Sequence, residues 1–157
     1  MNRLFITGYG RSGTTLLTNI LSSHNDIQLL IQPFPFLFIE LKEKFLKTLR
    51  RENYFVLNDN PFHNDYEIND FLKFLSMISL DQQEIDNIFY RMRNYDGQIT
   101  KIKNFSNTAR SSLISLYDSL ILNHQTTNAK FFGSKEILCE EFIPYFIKHG
   151  SKIIIII

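Results

Sequence analysis

A glycine-rich turn near the amino terminus separates a short apolar run from an amphipathic stretch, and this order predicts the fold class. Leu4-Phe5-Ile6-Thr7 is a continuous apolar run, typical of a strand that is buried on both faces of a sheet. The segment Gly8–Gly13 interrupts the run, and from Thr14 the hydrophobic residues recur with the period of a helix. Strand, glycine turn and helix in this order predict an α/β domain. The predicted inward face of the helix consists of Leu16, Leu17, Ile20 and Leu21.

Helical periods fill the middle of the chain, and strand-like runs return in its last third. Asp81 and Glu84 have the spacing of a capping box at a helix start. The predicted helices cover residues 36–51, 71–78, 81–92, 139–149 and a stretch from 104–107 to 121, and the predicted strands cover 129–133 and 153–157. The last run is isoleucine throughout, which fits only the middle of a buried parallel sheet. We therefore predict a P-loop-like parallel sheet flanked by helices, with residues 1–157 in a single domain.

The isoleucine run also bears on domain organisation. Chain ends are usually exposed and frayed, so a wholly apolar strand is an unusual terminus. In a doubly wound sheet, a functional loop normally follows such a strand. We therefore expect these residues to be the amino-terminal part of a longer domain whose carboxyl-terminal part is missing. The open sheet edge of such a fragment would invite association, but the sequence leaves the oligomeric state open.

Charge and cysteine content exclude several classes of protein. The 157 residues contain 17 basic and 16 acidic side chains, a formal net charge of +1. This balance excludes a nucleic-acid binder with a broadly basic surface and an acidic disordered chain. Cys139 is the single cysteine, and the 4 histidines include no i, i+4 pair, so we expect no disulfide framework and no metal site. Without a signal peptide or a run long enough to span a membrane, we expect a cytoplasmic protein.

Charged residues on two predicted helices have simpler explanations than catalysis. Lys42, Lys44 and Lys47 belong to a basic stretch, which is typical of the wet face of a helix. Glu140 and Glu141 suit the first turn of the helix predicted over 139–149, where the helix dipole favours negative charge. We therefore expect no catalytic role for these residues.

The glycine turn has the chemistry of an anion-binding loop. Gly8 to Thr15 matches the phosphate-loop frame G-x-x-x-x-G-K-[ST], except that Thr14 stands where a nucleotide triphosphatase has lysine. Glycines let successive N–H groups point into one concavity, and the following helix adds the positive end of its dipole. The cation here is Arg11, inside the loop, and two threonine hydroxyls follow the last glycine. A planar guanidinium and hydroxyl donors hold a terminal anionic group without requiring a metal ion.

These residues resemble the 5′-phosphosulfate loop of sulfotransferases that use 3′-phosphoadenosine 5′-phosphosulfate (PAPS). The Arg-Ser-Gly-Thr-Thr core is similar to that of many bacterial and carbohydrate sulfotransferases and of the tyrosylprotein sulfotransferases. The likeness covers Phe5–His24 and resumes from Phe132-Gly-Ser-Lys135 to Ile157, whereas 40–128 matches only as variable helices. In the family, an Arg-Asp-Pro-Arg-like segment and a Ser that hold the 3′-phosphate follow the last of these strands. Neither is present in this sequence.

The resemblance implies roles for individual residues. Arg11 and Lys135 are implied to be catalytic and to stabilise charge on the phosphosulfate as the sulfuryl group leaves. The tyrosylprotein enzymes have a catalytic Glu where this chain has Gln32, and an amide cannot take the proton of the acceptor. Glu40, on the next predicted helix, is the nearest carboxylate for that task, and His63 is a second candidate. The implied cofactor-binding residues are Gly10, Arg11, Ser12, Gly13, Thr14 and Thr15.

The leading hypothesis is a PAPS-dependent sulfotransferase that moves a sulfuryl group to a hydroxyl or amine, with a small molecule or carbohydrate as acceptor. One alternative is a phosphotransferase on a degenerate P-loop, which predicts Mg²⁺-dependent ATP binding, and the missing lysine argues against it. Another is a non-catalytic remnant that retains only an anion-binding loop. We expect the chain as given to have little activity by itself.

Overall fold

The computed structural model describes residues 2–9, 12–49, 66–95, 111–123, 128–137 and 139–157. These ranges contain four strands: β1 (Asn2–Gly8), β2 (Ile27–Ile31), β3 (Phe131–Lys135) and β4 (Lys152–Ile156). They contain six helices: α1 (Thr14–Ser22), α2 (Pro35–Thr48), α3 (Ile68–Met77), α4 (Gln82–Tyr95), α5 (Leu113–Asn123) and α6 (Ile143–Lys148). One turn of 3₁₀ helix, Glu140–Phe142, leads into α6.

The four strands form one parallel sheet in the order β2-β3-β1-β4, so the predicted α/β fold with a parallel sheet is confirmed. In β1, Leu4 pairs with Gly133 on one side and with Lys152 on the other. From β1 the chain crosses past β3 to reach β2, and from β3 it crosses past β1 to reach β4. The two crossovers run in opposite directions, which makes the carboxyl ends of β1 and β3 a topological switch point.

Side chains from the two faces of the sheet form two separate cores. On one face, Phe5 and Phe132 pack with α2, α3, α5 and α6 in a cluster rich in aromatic rings. The rings of Phe5 and Phe146 stack there with their centroids 4.5 Å apart. On the other face, a smaller cluster of Leu4, Ile6 and Leu29 packs against Leu21 of α1. Both faces of the sheet are therefore covered, as expected for an α/β protein.

Several predicted helix features are confirmed. The backbone N–H of Glu84 donates to Asp81 Oδ1 at 3.0 Å, and the N–H of Asp81 donates to Glu84 Oε2 at 2.9 Å, so the capping box forms. The inward stripe predicted for α5, which consists of Leu113, Leu116, Leu120 and Ile121, is buried. The start predicted for this helix at 104–107 lies outside the described residues. The helix predicted over 139–149 begins instead as the 3₁₀ turn before α6.

The predicted inward face of α1 is wrong for Leu16 and Ile20, whereas Leu17 and Leu21 are half-buried and Leu21 packs against the core on that side of the sheet. Leu16 and Ile20 are 65% and 57% exposed, whereas Thr14 and Thr18 are buried. The Thr18 hydroxyl donates to the Thr14 carbonyl at 2.7 Å, which satisfies its hydrogen-bonding need inside the interface. A buried threonine with a satisfied hydroxyl packs like a small apolar residue. The helix therefore turns its threonine side to the sheet, and the leucine stripe does not decide its orientation.

Three strand predictions also change. β2, which lies at one edge of the sheet, was not predicted, because Ile27–Ile31 is a five-residue run with glutamine inside it. β3 lies two residues later than the predicted 129–133. β4 is at the other edge of the described sheet, not in its middle, and Ile155 is 51% exposed. An apolar strand can lie in the centre of a sheet or at an edge whose faces are covered. Isoleucine content alone therefore does not show where in the sheet a strand lies.

Candidate functional site

The ends of three strands bring the predicted site residues to one edge of the sheet, which we call the carboxyl edge. Ile6, Lys135 and Ile31 lie in one row across β1, β3 and β2. The row lies on the face that α1 covers, because Ile6 belongs to the core cluster packed against Leu21. The loop after β1 and the end of β3 therefore meet at the switch point, where ligands of open α/β sheets bind.

The loop that follows β1 has a geometry that suits anion binding. Gly13 caps α1 with a φ of +85°, in the left-handed region that favours glycine. Thr14 is buried, and Thr15 is exposed at the start of the helix. The Ser12 hydroxyl is buried, and among the described residues it has no hydrogen-bond partner. A buried hydroxyl in this position can donate to a ligand at the helix N-terminus.

Glycine is also required where the loop leaves β1. A Cβ on Gly8 would meet the backbone carbonyl oxygen of Ile156 in β4 and approach the Ser12 hydroxyl. β1 and β4 therefore come together at Gly8 without room for a side chain. Gly10 and Arg11, which the sequence singles out for binding, lie outside the described residues. Their roles remain predictions.

Lys135 lies at the end of β3 with its ammonium held in a defined position. Its side chain is only 3% exposed, and Nζ donates to the Oε1 atom of Gln32 at 2.9 Å. Burial lowers the pKa of the Lys135 ammonium, and the negative charge of the neighbouring Glu136 carboxylate acts in the opposite direction. A partly desolvated cation at the carboxyl edge attracts an anionic ligand more strongly than a solvated lysine does.

Glu136 is a second ionisable group at this edge, and its carboxyl is fully buried. Oε1 accepts a hydrogen bond from the backbone N–H of Phe34 at 3.2 Å. Burial raises the pKa of Glu136 to about 8, while hydrogen bonds from Phe34 and from the Ser134 hydroxyl act in the opposite direction. Ser134 in turn hydrogen-bonds the Tyr117 hydroxyl at 2.9 Å. Glu136 therefore belongs to a buried polar network directly behind the candidate site.

A test of this burial is the pH dependence of stability. The ordinary pKa of a glutamate is 4.5, and that of Glu136 in the folded protein is about 8, so the folded state binds the proton more tightly. Stability is therefore expected to fall as pH rises from about 5 to about 8, because the unfolded state loses this proton first. Glu136→Gln should remove that part of the fall, which urea unfolding at several pH values measures. The same slope in wild-type and variant would contradict a raised pKa.

The sequence analysis also names Glu40, His63 and Glu140. Glu40 is half-buried on the second turn of α2, and its assignment as catalytic base stays a prediction. His63, the second candidate, lies outside the described residues. Glu140 begins the 3₁₀ turn, and its Oε2 is buried without a hydrogen-bond partner in the part of the chain that the structure describes. Burial raises the pKa of Glu140, opposed by the Thr7 hydroxyl at the end of β1.

The prediction that Lys42 lies on a solvated helix face is wrong. Lys42 Nζ forms an ion pair with Glu141 Oε1, and both side chains are about 5% exposed or less. The Tyr66 hydroxyl also donates to Glu141 Oε1, at 3.3 Å. The ion pair joins α2 to the 3₁₀ turn, so these two charges contribute to the contact between the two elements. Lys44, in contrast, pairs with Glu84 in a more exposed position.

Sequence reasoning missed two features of the site. It treated Gln32 only as the loss of a carboxylate, whereas the structure shows it as the partner of the Lys135 ammonium. It did not consider Glu136 at all. The available signal was a Lys-Glu pair at the end of a short strand, because ligands of open α/β sheets bind at the carboxyl ends of the strands.

The described ranges contain no group of three or more His, Cys, Asp or Glu side chains that could hold a metal ion. None of the helices in those ranges combines the length and the apolar character needed to cross a lipid bilayer.

The chain is similar to a known protein family. Residues 3–119 match the family model described as the sulfotransferase family, which is more than half of the chain. The matched range includes the glycine loop, Gln32 and Glu40, and it ends before Lys135 and Glu136. No curated protein matches the chain.

Proposed function

Because the chain belongs to the sulfotransferase family, we propose that it transfers a sulfuryl group from PAPS to a hydroxyl or amine acceptor. The observation that carries this proposal is the buried Lys135 ammonium at the same sheet edge as the glycine loop. A desolvated cation beside a helix N-terminus favours a ligand with a terminal negative charge. The expected acceptors are small molecules or carbohydrates.

The residues of the loop fit the phosphosulfate end of PAPS. The Ser12 hydroxyl, which has no hydrogen-bond partner within the described ranges, and the first-turn N–H groups of α1 are available as donors. Thr14 and Thr15 provide hydroxyls at the same helix start, and Gly13 supplies the left-handed turn. PAPS, when bound, supplies the sulfuryl group and a phosphate leaving group. The chain's own task is to hold that end of the donor and to orient the acceptor.

Charge stabilisation is the main chemical contribution that we assign to the chain. In sulfuryl transfer the acceptor atom forms a bond to sulfur while the bond from sulfur to the phosphate oxygen breaks, so negative charge grows on the phosphate. We assign the offset of that charge to Arg11 and Lys135, because a cation that is already fixed in a partly dry site needs no reorganisation. Glu40 is the proposed base that takes the proton of the acceptor.

Nucleotide binding tests the proposal directly. Arg11→Ala is expected to weaken binding of 3′,5′-bisphosphoadenosine and of PAPS by about 10- to 100-fold, because a charge-assisted hydrogen bond is lost. Isothermal titration calorimetry on the full-length protein measures this.

Lys130→Ala is the matched control for a lost cation. Lys130 lies next to β3 at its opposite end, is exposed, and pairs with Asp26 at 2.8 Å. Its removal should leave nucleotide affinity unchanged. Unaltered binding in Arg11→Ala, or tighter binding of ATP with Mg²⁺ than of PAPS, would contradict the proposed function and favour a phosphotransferase.

A further inference from the structure

The turn between β2 and α2, formed by residues Gln32–Phe34, is bound to the end of β3 by three hydrogen bonds. The backbone N–H of Gln32 donates to the Lys135 carbonyl at 2.7 Å. The N–H of Phe34 donates to Glu136 Oε1 at 3.2 Å. In the opposite direction, Lys135 Nζ donates to Gln32 Oε1 at 2.9 Å. Lys135, the last residue of β3, and Glu136, which follows it, therefore hold both ends of the β2–α2 turn.

The conformation of Gln32 shows that this turn needs external support. Its φ is +46°, and no other non-glycine residue in the described ranges has a positive φ. Such a conformation is uncommon for residues with a Cβ and persists where the surrounding structure holds it. The hydrogen bonds that the N–H groups of Gln32 and Phe34 donate, one on each side of Pro33, supply that support.

From these contacts we propose that Glu136 is a positioning residue, which fixes the β2–α2 turn and, through Gln32, the ammonium of Lys135. Glu136 does not touch the reacting groups in this role. Its carboxyl is fully buried and accepts the hydrogen bond of the Phe34 N–H, so it acts on the site through the backbone of the turn. That Lys135 then faces an anionic donor rests on the proposed function.

Gln32 suits this arrangement better than a carboxylate would. An amide oxygen accepts a hydrogen bond from the ammonium without neutralising it, so the charge of Lys135 stays available to a ligand. A carboxylate in the same place would form an ion pair and raise the pKa of the lysine. The amide of Gln32 thus leaves Lys135 as a cation with a neutral anchor.

Nuclear magnetic resonance tests the positioning role without requiring activity. In Glu136→Met the acceptor of Phe34 N–H is lost, and the amide hydrogen exchange of Phe34 and Gln32 should accelerate about tenfold or more. The ¹⁵Nζ resonance of Lys135 should shift at the same time, because its anchor moves. Glu136→Gln keeps an oxygen acceptor and should restore both signals to their wild-type values. Glu136→Asp, which is shorter by one methylene, provides a milder loss should the methionine variant unfold.

Glu141→Met is the matched control, since Glu141 is also a buried carboxyl after β3 but contacts Lys42 instead of the turn. It should lower stability and leave the Gln32, Phe34 and Lys135 signals in place. The proposal is overturned if Glu136→Met and Glu136→Asp both keep wild-type exchange and resonance, or if Glu141→Met changes them equally. Because these readouts do not involve nucleotide, a failed Arg11→Ala test would overturn the proposed function and leave this result standing.

Discussion

Lys42→Met is expected to lower the free energy of unfolding by about 3–5 kcal/mol, because it leaves the Glu141 carboxylate buried without its cation. The two side chains are about 5% exposed or less, so water cannot replace the lost partner. The other oxygen of the carboxylate, Glu141 Oε2, already has no hydrogen-bond partner among the described residues. Methionine keeps most of the volume of the lysine stem, which confines the change to the charge. Urea unfolding measures the loss.

Lys44→Met provides the control for this prediction. Lys44 lies two residues later on α2 and pairs with Glu84, but the side chains are 24% and 32% exposed. A pair that is open to solvent contributes about 1 kcal/mol or less. The double variant Lys42→Met, Glu141→Leu should recover much of the stability, since it removes both buried charges. If Lys42→Met and Lys44→Met lowered the free energy of unfolding by similar amounts, burial of the Lys42–Glu141 pair would not increase its contribution to stability.

Signals that span a few residues predict this chain well. The capping box needs only the three-residue spacing of Asp81 and Glu84, and both of its hydrogen bonds form. The same holds for the glycine turn, because a strand, a left-handed Gly13 and a helix are all local features. Local geometry is encoded by neighbouring residues, so the sequence is sufficient to predict it.

Orientation and pairing over long distances are less predictable. In α1, Leu16 and Ile20 predict the inward face, but Thr18 satisfies its hydroxyl on the Thr14 carbonyl and takes that place. The choice depends on the shape of the sheet surface beneath, which periodicity does not describe. Hydropathy likewise treats Lys42 as a surface residue, because the carboxylate that compensates its burial lies far along the chain.

The candidate site shows both cases. The phosphate-loop pattern predicts where an anion binds, and the family match agrees with the resemblance of this loop to sulfotransferases. The anchor of Lys135 could not be predicted, since Gln32 is 103 residues away and lies in the turn after a different strand. The two residues meet because β2 and β3 are neighbours in the observed strand order β2-β3-β1-β4. Residues that act through such neighbours become visible when the topology is known.

Lys135→Met is expected to lower kcat for sulfuryl transfer by about 10²–10³-fold, which is the usual effect of removing one preorganised charge-stabilising donor. The reason is that the ammonium is already desolvated and fixed by Gln32, so it stabilises growing charge on the phosphate without moving. Lys135→Arg should recover only part of the rate, because a planar guanidinium does not fit the single hydrogen bond to the Gln32 amide. Steady-state kinetics with PAPS and an acceptor, on full-length protein, measure both variants.

Stability must be separated from catalysis in this experiment, because Lys135 is buried. Methionine in its place removes a charge from a partly dry position, so the melting temperature should be unchanged or slightly higher. A fall in kcat with an intact fold and a KM for PAPS changed by a smaller factor would assign Lys135 to the transition state, since uniform binding alters KM alone. Lys130→Met, at the opposite end of β3, should keep the wild-type kcat. If Lys135→Met retained kcat within about threefold while remaining folded, the ammonium would serve the architecture of the carboxyl edge and not the reaction, and Arg11 would be the main cation of the site.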